Sequence, residues 1–132
     1  MSTARTIILP KEAIVAIKQV LVLRRDLNMR KGKMIAQGAH ASQWALTASK
    51  AQNPEWAALW MENEFTKIVV SVNSERELLD LDIVLTGAGV PCALIQDLGH
   101  TEFHGEKTYT ALGIGPAPSE LIDPYTRHLP LL

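Results

Sequence analysis

The sequence predicts an α/β domain built on a mixed β-sheet, and three features point to it. Short β-branched apolar runs alternate with longer stretches of helical spacing as far as residue 97, the pattern of parallel strands joined by helices. Beyond residue 97 one strand-like run follows another across a polar loop, so the sheet must also hold an antiparallel pair. The chain has 132 residues, which suits one domain on the usual scale of about 100–200 residues. A chain of that size buries roughly two-thirds of the surface its unfolded form exposes, enough for a core without staples.

The elements follow in order. Residues 1–18 read as an N-terminal extension, with weak helical character around Pro10 to Ile17, leaving residues 19–132 as the domain. "QVLVLRR" (19–25) is a short apolar run rich in β-branched side chains, as in a buried strand. "RDLNMRKG" (25–32) is a loop, and a helix is expected from about Lys31 to Ser49. Met34, Gly38, Ala41, Ala45 and Ala48 form one stripe of that helix, flanked by Ile35, Ala39, Ser42 and Leu46. These mostly small side chains let a helix lie close against a sheet. Lys33, Gln37, His40 and Trp44 share a different face, which suits either solvent or one wall of a site.

"NPEWAALWMENEF" (53–65) predicts a second helix, capped by Asn53 with Pro54 in its first position. Trp56 and Trp60, four residues apart, read as packing anchors. "KIVVSV" (67–72) is the second strand. Ser74 and Glu77 form a capping box for the helix that ends at Gly89. "VPCALIQD" (90–97) and "KTYTALGIG" (107–115) are the third and fourth strands, and "APSELIDPYT" supplies a last helical turn or two before Pro124.

Charge and composition narrow the function. The net charge is −1, so the molecule as a whole is no polyanion binder, yet Arg24, Arg25, Arg30, Lys31 and Lys33 put five cations within ten residues against one acid, Asp26. Such a patch suits a solvated loop or one short contact with a phosphate backbone. The lone cysteine, Cys92, cannot make an internal disulfide. No apolar run reaches signal-peptide or membrane-span length, so a cytoplasmic protein without membrane contact is expected.

The segment "DLGHTEFHGEKTYTALGIGP" (97–116) concentrates the chemistry. His100, Glu102 and His104 alternate as strand-borne metal ligands would, but Gly99 and Gly105 bracket them and no HExxH or CxxC accompanies them. "GIGP" lacks the frame of a nucleotide-binding loop, and its glycines suit a strand end with Pro116 opening a turn. The remaining reading is a polar loop at the C-terminal end of the third strand, where α/β proteins place their sites. Asp97 ends that strand, Thr101 follows it, and Thr108 and Thr110 lie on the strand opposite. An aspartate with two threonines and a lysine can position a water and stabilise an oxyanion without metal.

Two blocks of this sequence resemble the second, archaeal and eukaryotic type of peptidyl-tRNA hydrolase: "VLVLRRDLNMRKGKMIAQGAHAS" and "IQDLGHTEFHGEKTYTALGIGPAPSELIDPYTRHLPLL". Together they cover most of residues 19–132. The resemblance implies a three-layer α/β/α fold with a four-stranded mixed sheet, usually a homodimer, that hydrolyses the ester between a peptide and the 3′ ribose of tRNA with no metal and no cofactor. Carried over residue by residue, it implies Lys33, Asp97, Thr101 and Thr110 as catalytic residues. On that reading Asp97 would orient or deprotonate the attacking water, Lys33 would keep the aspartate ionised and offset charge on the ester oxygen, and the threonines would donate or relay hydrogen bonds. Gln37 and His40 would line the substrate cleft, and Arg24, Arg25, Arg30 and Lys31 would meet phosphates of the acceptor stem and 3′ end. His100, outside the matched motif, would bind substrate at the cleft mouth or else face solvent. The sequence departs from the family pattern at Asn28, often lysine, and at Leu98, usually a small alanine that leaves the site wider. It also departs in a loop between Thr101 and Leu112 one residue longer than the common pattern, which leaves both Thr108 and Thr110 open as the second site threonine. The alternatives are a binding module of the same fold that retains tRNA or partner binding without turnover, and a hydrolase of another acyl ester.

Overall fold

A computed structural model describes residues 16–99 and 103–132. Its elements are β1 (Ile17–Arg24), α1 (Lys31–Gln52), α2 (Pro54–Glu62), β2 (Lys67–Val72), α3 (Glu75–Gly87), β3 (Cys92–Asp97), β4 (Thr108–Pro118) and α4 (Ser119–Thr126). The strands form one mixed sheet in the order β2-β1-β4-β3. β1 and β2 are parallel, while β4 runs antiparallel to both β1 and β3. The carboxyl ends of β1, β2 and β3 therefore share one edge of the sheet with the start of β4.

Side-chain alternation along the strands sorts the core into two faces. Val20, Val22, Val70, Val72, Leu112 and Ile114 meet Leu78 and Leu85 of α3 and Ile122 of α4. Leu21, Leu23, Ile95 and Ala111 meet α1 at Ala41 and Met34 on the other face. The result is the three-layer α/β/α arrangement, with α1 on the site-bearing side.

Local signals explain the boundaries. Asn53 serves two helices: its backbone N–H donates to the Ser49 carbonyl, ending α1, and its side chain accepts from the Glu55 N–H, opening α2. Pro54 pushes Asn53 into its extended conformation (φ −153°). Ser74 accepts from the Glu77 N–H at 3.1 Å, while Glu77 reaches back to the Asn73 N–H at 2.8 Å, one residue beyond the usual capping-box partner. At the far end Gly89 (φ +76°) closes α3, with Val90 N–H donating to Leu85 and Gly89 N–H to Thr86, the Schellman pair of bonds. Trp60 is a packing anchor, edge-on to Phe65 at 5.3 Å and donating through Nε1 to the Thr66 carbonyl at 2.7 Å.

Three expectations are corrected. β1 begins at Ile17, because Ile17 and Lys18 pair with Pro118 and Ala117; residues 1–15 lie outside the described part. Pro116 opens no turn: β4 runs through "GIGP" to Pro118 and carries one extra residue opposite Gln19, where Gly115 (φ +83°) and a cis Gly115–Pro116 bond form a bulge. Gln19 Nε2 donates to the Gly115 carbonyl at 3.2 Å and Ser49 Oγ to the Pro116 carbonyl at 2.6 Å, satisfying the bulge. Pro124 sits inside α4 without ending it, since only the carbonyl of Glu120, in the first turn, loses its donor. The sequence also ends in an unexpected element: Pro130–Leu132 lie antiparallel along β2, with Ser71 N–H donating to Pro130 and Leu132 N–H to Val69.

Candidate active site

α1 is an alanine-rich run without internal proline, and its small face sets how closely it approaches the sheet. A Cβ on Gly113 of β4 would stand 2.1 Å from the Ala41 carbonyl oxygen and 2.8 Å from Ala45 Cβ. Only a glycine permits that approach. It lowers the N-terminal half of α1 into the edge where β3 ends and β4 begins.

The side chains gathered there form one chain of hydrogen bonds. Lys33, in the first turn of α1, reaches Asp97 at the end of β3, with Nζ 2.6 Å from Oδ1. Gln37, one turn later, donates from Nε2 to the same oxygen through a long 3.5 Å bond. Its own Oε1 accepts from the Thr110 hydroxyl of β4. The other oxygen of Asp97 accepts from the Gly99 N–H at 2.8 Å. Phe103 lies under the lysine, its ring centre 5.8 Å from Nζ. Lys33 and Asp97 are largely but not wholly withdrawn from solvent, with side chains 13% and 12% exposed. The pair is thus held by several hydrogen bonds and keeps some exposure to solvent.

The expected residues divide by position. Lys33, Gln37, Asp97 and Thr110 come together. Thr110 is fully buried and acts on Gln37, whereas the Thr108 hydroxyl donates to the Glu106 carbonyl and, among the described residues, takes no part in this network. His40 is exposed one turn beyond Gln37 and, with Trp44, walls a groove beside β3. His100 and Thr101 lie outside the described residues. His104 is exposed with φ +52°, and among the described residues no group of three or more His, Cys, Asp or Glu side chains could hold a metal ion.

The basic patch is also divided. Arg24 is turned inward: Nη2 and Nε bond Asp26 at 2.7 and 3.2 Å, and Nη1 donates to the Tyr109 carbonyl at 3.0 Å. It ties the end of β1 to β4. Arg25, Arg30 and Lys31 are exposed, and Arg25 also donates to the Leu131 carbonyl at 2.9 Å, anchoring the C-terminal residues. The first turn of α1 holds no acid and no side-chain cap, so its N-terminus adds to the positive field of Arg30 and Lys31. Asn28 adopts φ +52° in the turn before it, a conformation asparagine tolerates better than most residues. Leu98 is 53% exposed beside Asp97.

Sequence reasoning missed Phe103, the Gly99 N–H and the spacing role of Gly113. Gly99 did leave a signal: a Cβ there would stand 2.5 Å from the Glu106 carbonyl oxygen, and its φ is +83°. The Cys92 thiol faces Asp82 and Thr86 on the α3 side of the sheet. Burial pushes it up to about 11, with a smaller contribution from Asp82, so it offers no thiolate nucleophile at neutral pH.

The chain is similar to known proteins along most of its length. The family model described as peptidyl-tRNA hydrolase PTH2 matches residues 17–132. A peptidyl-tRNA hydrolase of Methanocaldococcus jannaschii is 46% identical over 115 residues, 87% of this chain and 99% of that protein. One from Thermococcus onnurineus is 44% identical over 87% of this chain and 97% of its own length. A probable peptidyl-tRNA hydrolase 2 of Dictyostelium discoideum is 41% identical over 86% of this chain and 54% of its own.

Proposed function

This chain belongs to the peptidyl-tRNA hydrolase PTH2 family, and we propose that it hydrolyses the peptide–tRNA ester in the cleft between α1 and the end of β3, without a metal. The observation that carries this reading is the Lys33–Asp97 pair, 2.6 Å apart and braced by Gln37 and Thr110, at the C-terminal edge of the sheet.

Asp97 orients the attacking water and takes its proton as the oxygen adds to the ester carbonyl carbon. Lys33 supplies the positive charge that a metal would otherwise bring, facing the oxyanion of the tetrahedral intermediate. Collapse breaks the bond to the ribose 3′ oxygen, which receives the proton, and leaves a free peptide acid and a reusable tRNA. Gln37 and Thr110 fix the carboxylate, Thr110 acting through Gln37. Thr101 donates a further hydrogen bond, a role that rests on the family motif. His40 orients substrate beside β3, and His100 is proposed to bind substrate as well.

The exposed Arg25, Arg30 and Lys31, with the N-terminus of α1, meet phosphates of the acceptor stem and 3′ end. Arg24 supports that surface from beneath through Asp26 and the Tyr109 carbonyl. Exposed Ile35, Leu131 and Leu132, the last lining an apolar groove of about 550 Å³ with Ile35, support a homodimer. Among the described residues no helix is long and apolar enough to cross a membrane. A substrate made by ribosomes supports a cytoplasmic location.

The test is release of the acyl group from N-acetyl-aminoacyl-tRNA with EDTA present. Wild type turns over undiminished, while Asp97→Asn and Lys33→Ala each lose roughly 10²–10³-fold in kcat. Loss of wild-type turnover on chelation, restored by added metal, would falsify the metal-free reaction.

A further inference from the structure

The two edges of the sheet are treated differently. At the β2 edge the chain covers itself, Pro130–Leu132 pairing with Val69–Ser71. At the other edge β3 pairs only with β4, and among the described residues nothing pairs with its far side. An uncovered edge is a ready template for another strand, which proteins commonly block. This one leads straight to the reacting group, because Asp97 is its last residue.

The register shows what the edge offers. Gly115 N–H donates to the Pro91 carbonyl, so the Pro91–Gly115 pair is a hydrogen-bonded one. Alternation along an antiparallel ladder then turns Ala93 and Ile95 toward β4, and Cys92 and Leu94 outward with both N–H and C=O. Above the edge, His40 and Trp44 of α1 form the wall of a groove of about 440 Å³ floored by Ala93–Gln96. Trp44 is 60% exposed there, a large aromatic surface with nothing stacked on it among the described residues.

We propose that the open edge of β3, walled by His40 and Trp44, binds the peptide moiety of the substrate as an added strand, main chain to main chain. The inference rests on the ester hydrolysis assigned above and says how that site holds its acyl half. The esterified carbonyl is the peptide's C-terminus and must lie at Asp97, so the peptide runs parallel to β3. From Ala93 to Asp97 the edge spans ~13 Å at about 3.3 Å per residue, room for roughly four peptide residues. Main-chain pairing explains how one site accepts any peptide sequence, since the outward N–H and C=O of Leu94 recognise a feature common to all. Trp44 adds apolar contact with whichever side chains point toward α1.

The experiment compares N-acetyl-aminoacyl-tRNA, which has no strand to add, with tetrapeptidyl-tRNAs carrying a single N-methylated amide at each position in turn. The unmodified tetrapeptide is cleaved with kcat/KM about tenfold higher, mostly through KM. N-methylation lowers kcat/KM about three- to tenfold at every second amide, because only alternate N–H groups of a strand face its neighbour. Trp44→Ala narrows the ratio between the long and short substrates. Equal kcat/KM for both substrates, or a response to methylation without alternation, overturns strand addition while the hydrolase reading stands. A folded protein that leaves N-acetyl-aminoacyl-tRNA intact fails at the reaction itself, and the inference falls with it.

Discussion

Thr110 hydrogen-bonds a side chain that in turn reaches the aspartate, and a buried residue of that kind can be tested for what it positions. Thr110→Val keeps the shape but leaves Gln37 Oε1 without its donor in a buried setting. The expected cost is about 1–3 kcal/mol of stability, together with about a tenfold fall in kcat through a loosened Gln37, while KM for the tRNA stays close to wild type. Denaturant melts and steady-state kinetics on the same samples check this; a fall in stability alone would remove Gln37 from the catalytic network. Cys92 gives a residue-scale prediction with a pH sign. Burial raises the thiol to about 11, so the reactive thiolate is scarce at pH 7.5. Alkylation by iodoacetamide is expected to be slow there and to climb as pH approaches 11; fast labelling at neutral pH would contradict the buried setting.

At the scale of elements, the site depends on how near α1 lies to β4. Gly113→Ala places a methyl group 2.1 Å from the Ala41 carbonyl oxygen, backbone that cannot swing aside. The helix must shift, at an expected cost of about 1–3 kcal/mol for overpacking. Because α1 carries both Lys33 and Gln37 while Asp97 sits on β3, the same shift pulls the pair apart. A fall in kcat larger than any change in KM is therefore expected, read from hydrolysis assays beside thermal melts. An unchanged kcat would mean that α1 is free to settle without moving Lys33.

Over the whole molecule, the charge is small but unevenly placed. Arg25, Arg30 and Lys31 are exposed around the start of α1, a few residues from Lys33, while Arg24 is held by Asp26 and the Tyr109 carbonyl. If the exposed three meet phosphates, KM rises with salt, each lost contact taking roughly 0.7–0.9 from the slope of log affinity against log salt. The triple variant Arg25→Ala, Arg30→Ala, Lys31→Ala is expected to flatten that slope by about 2 and to leave kcat at saturating substrate near wild type. An unaltered slope would move the tRNA contact elsewhere on the surface.

Much of this protein is readable along the chain, because the signals are local. The Asn53–Pro54 junction, the Ser74–Glu77 pair, Gly89 at the end of α3 and the β-branched run 67–72 each act within about one turn of backbone. The row Lys33, Gln37, His40 is likewise a matter of helical spacing. Sequence by itself also placed Asp97 at the C-terminal end of a strand. What it could not decide is which of these groups face one another. Lys33 and Asp97 are 64 residues apart and Thr110 and Gln37 are 73 apart, so their meeting depends on strand order and on the close seat of α1 at Gly113. Tertiary structure alone turned Arg24 inward, separated Thr110 from Thr108, carried β4 through "GIGP" and folded Pro130–Leu132 along β2 while leaving β3 open. Local preference selects the elements; the pairing of distant backbone and the packing of two faces decide which side chains meet.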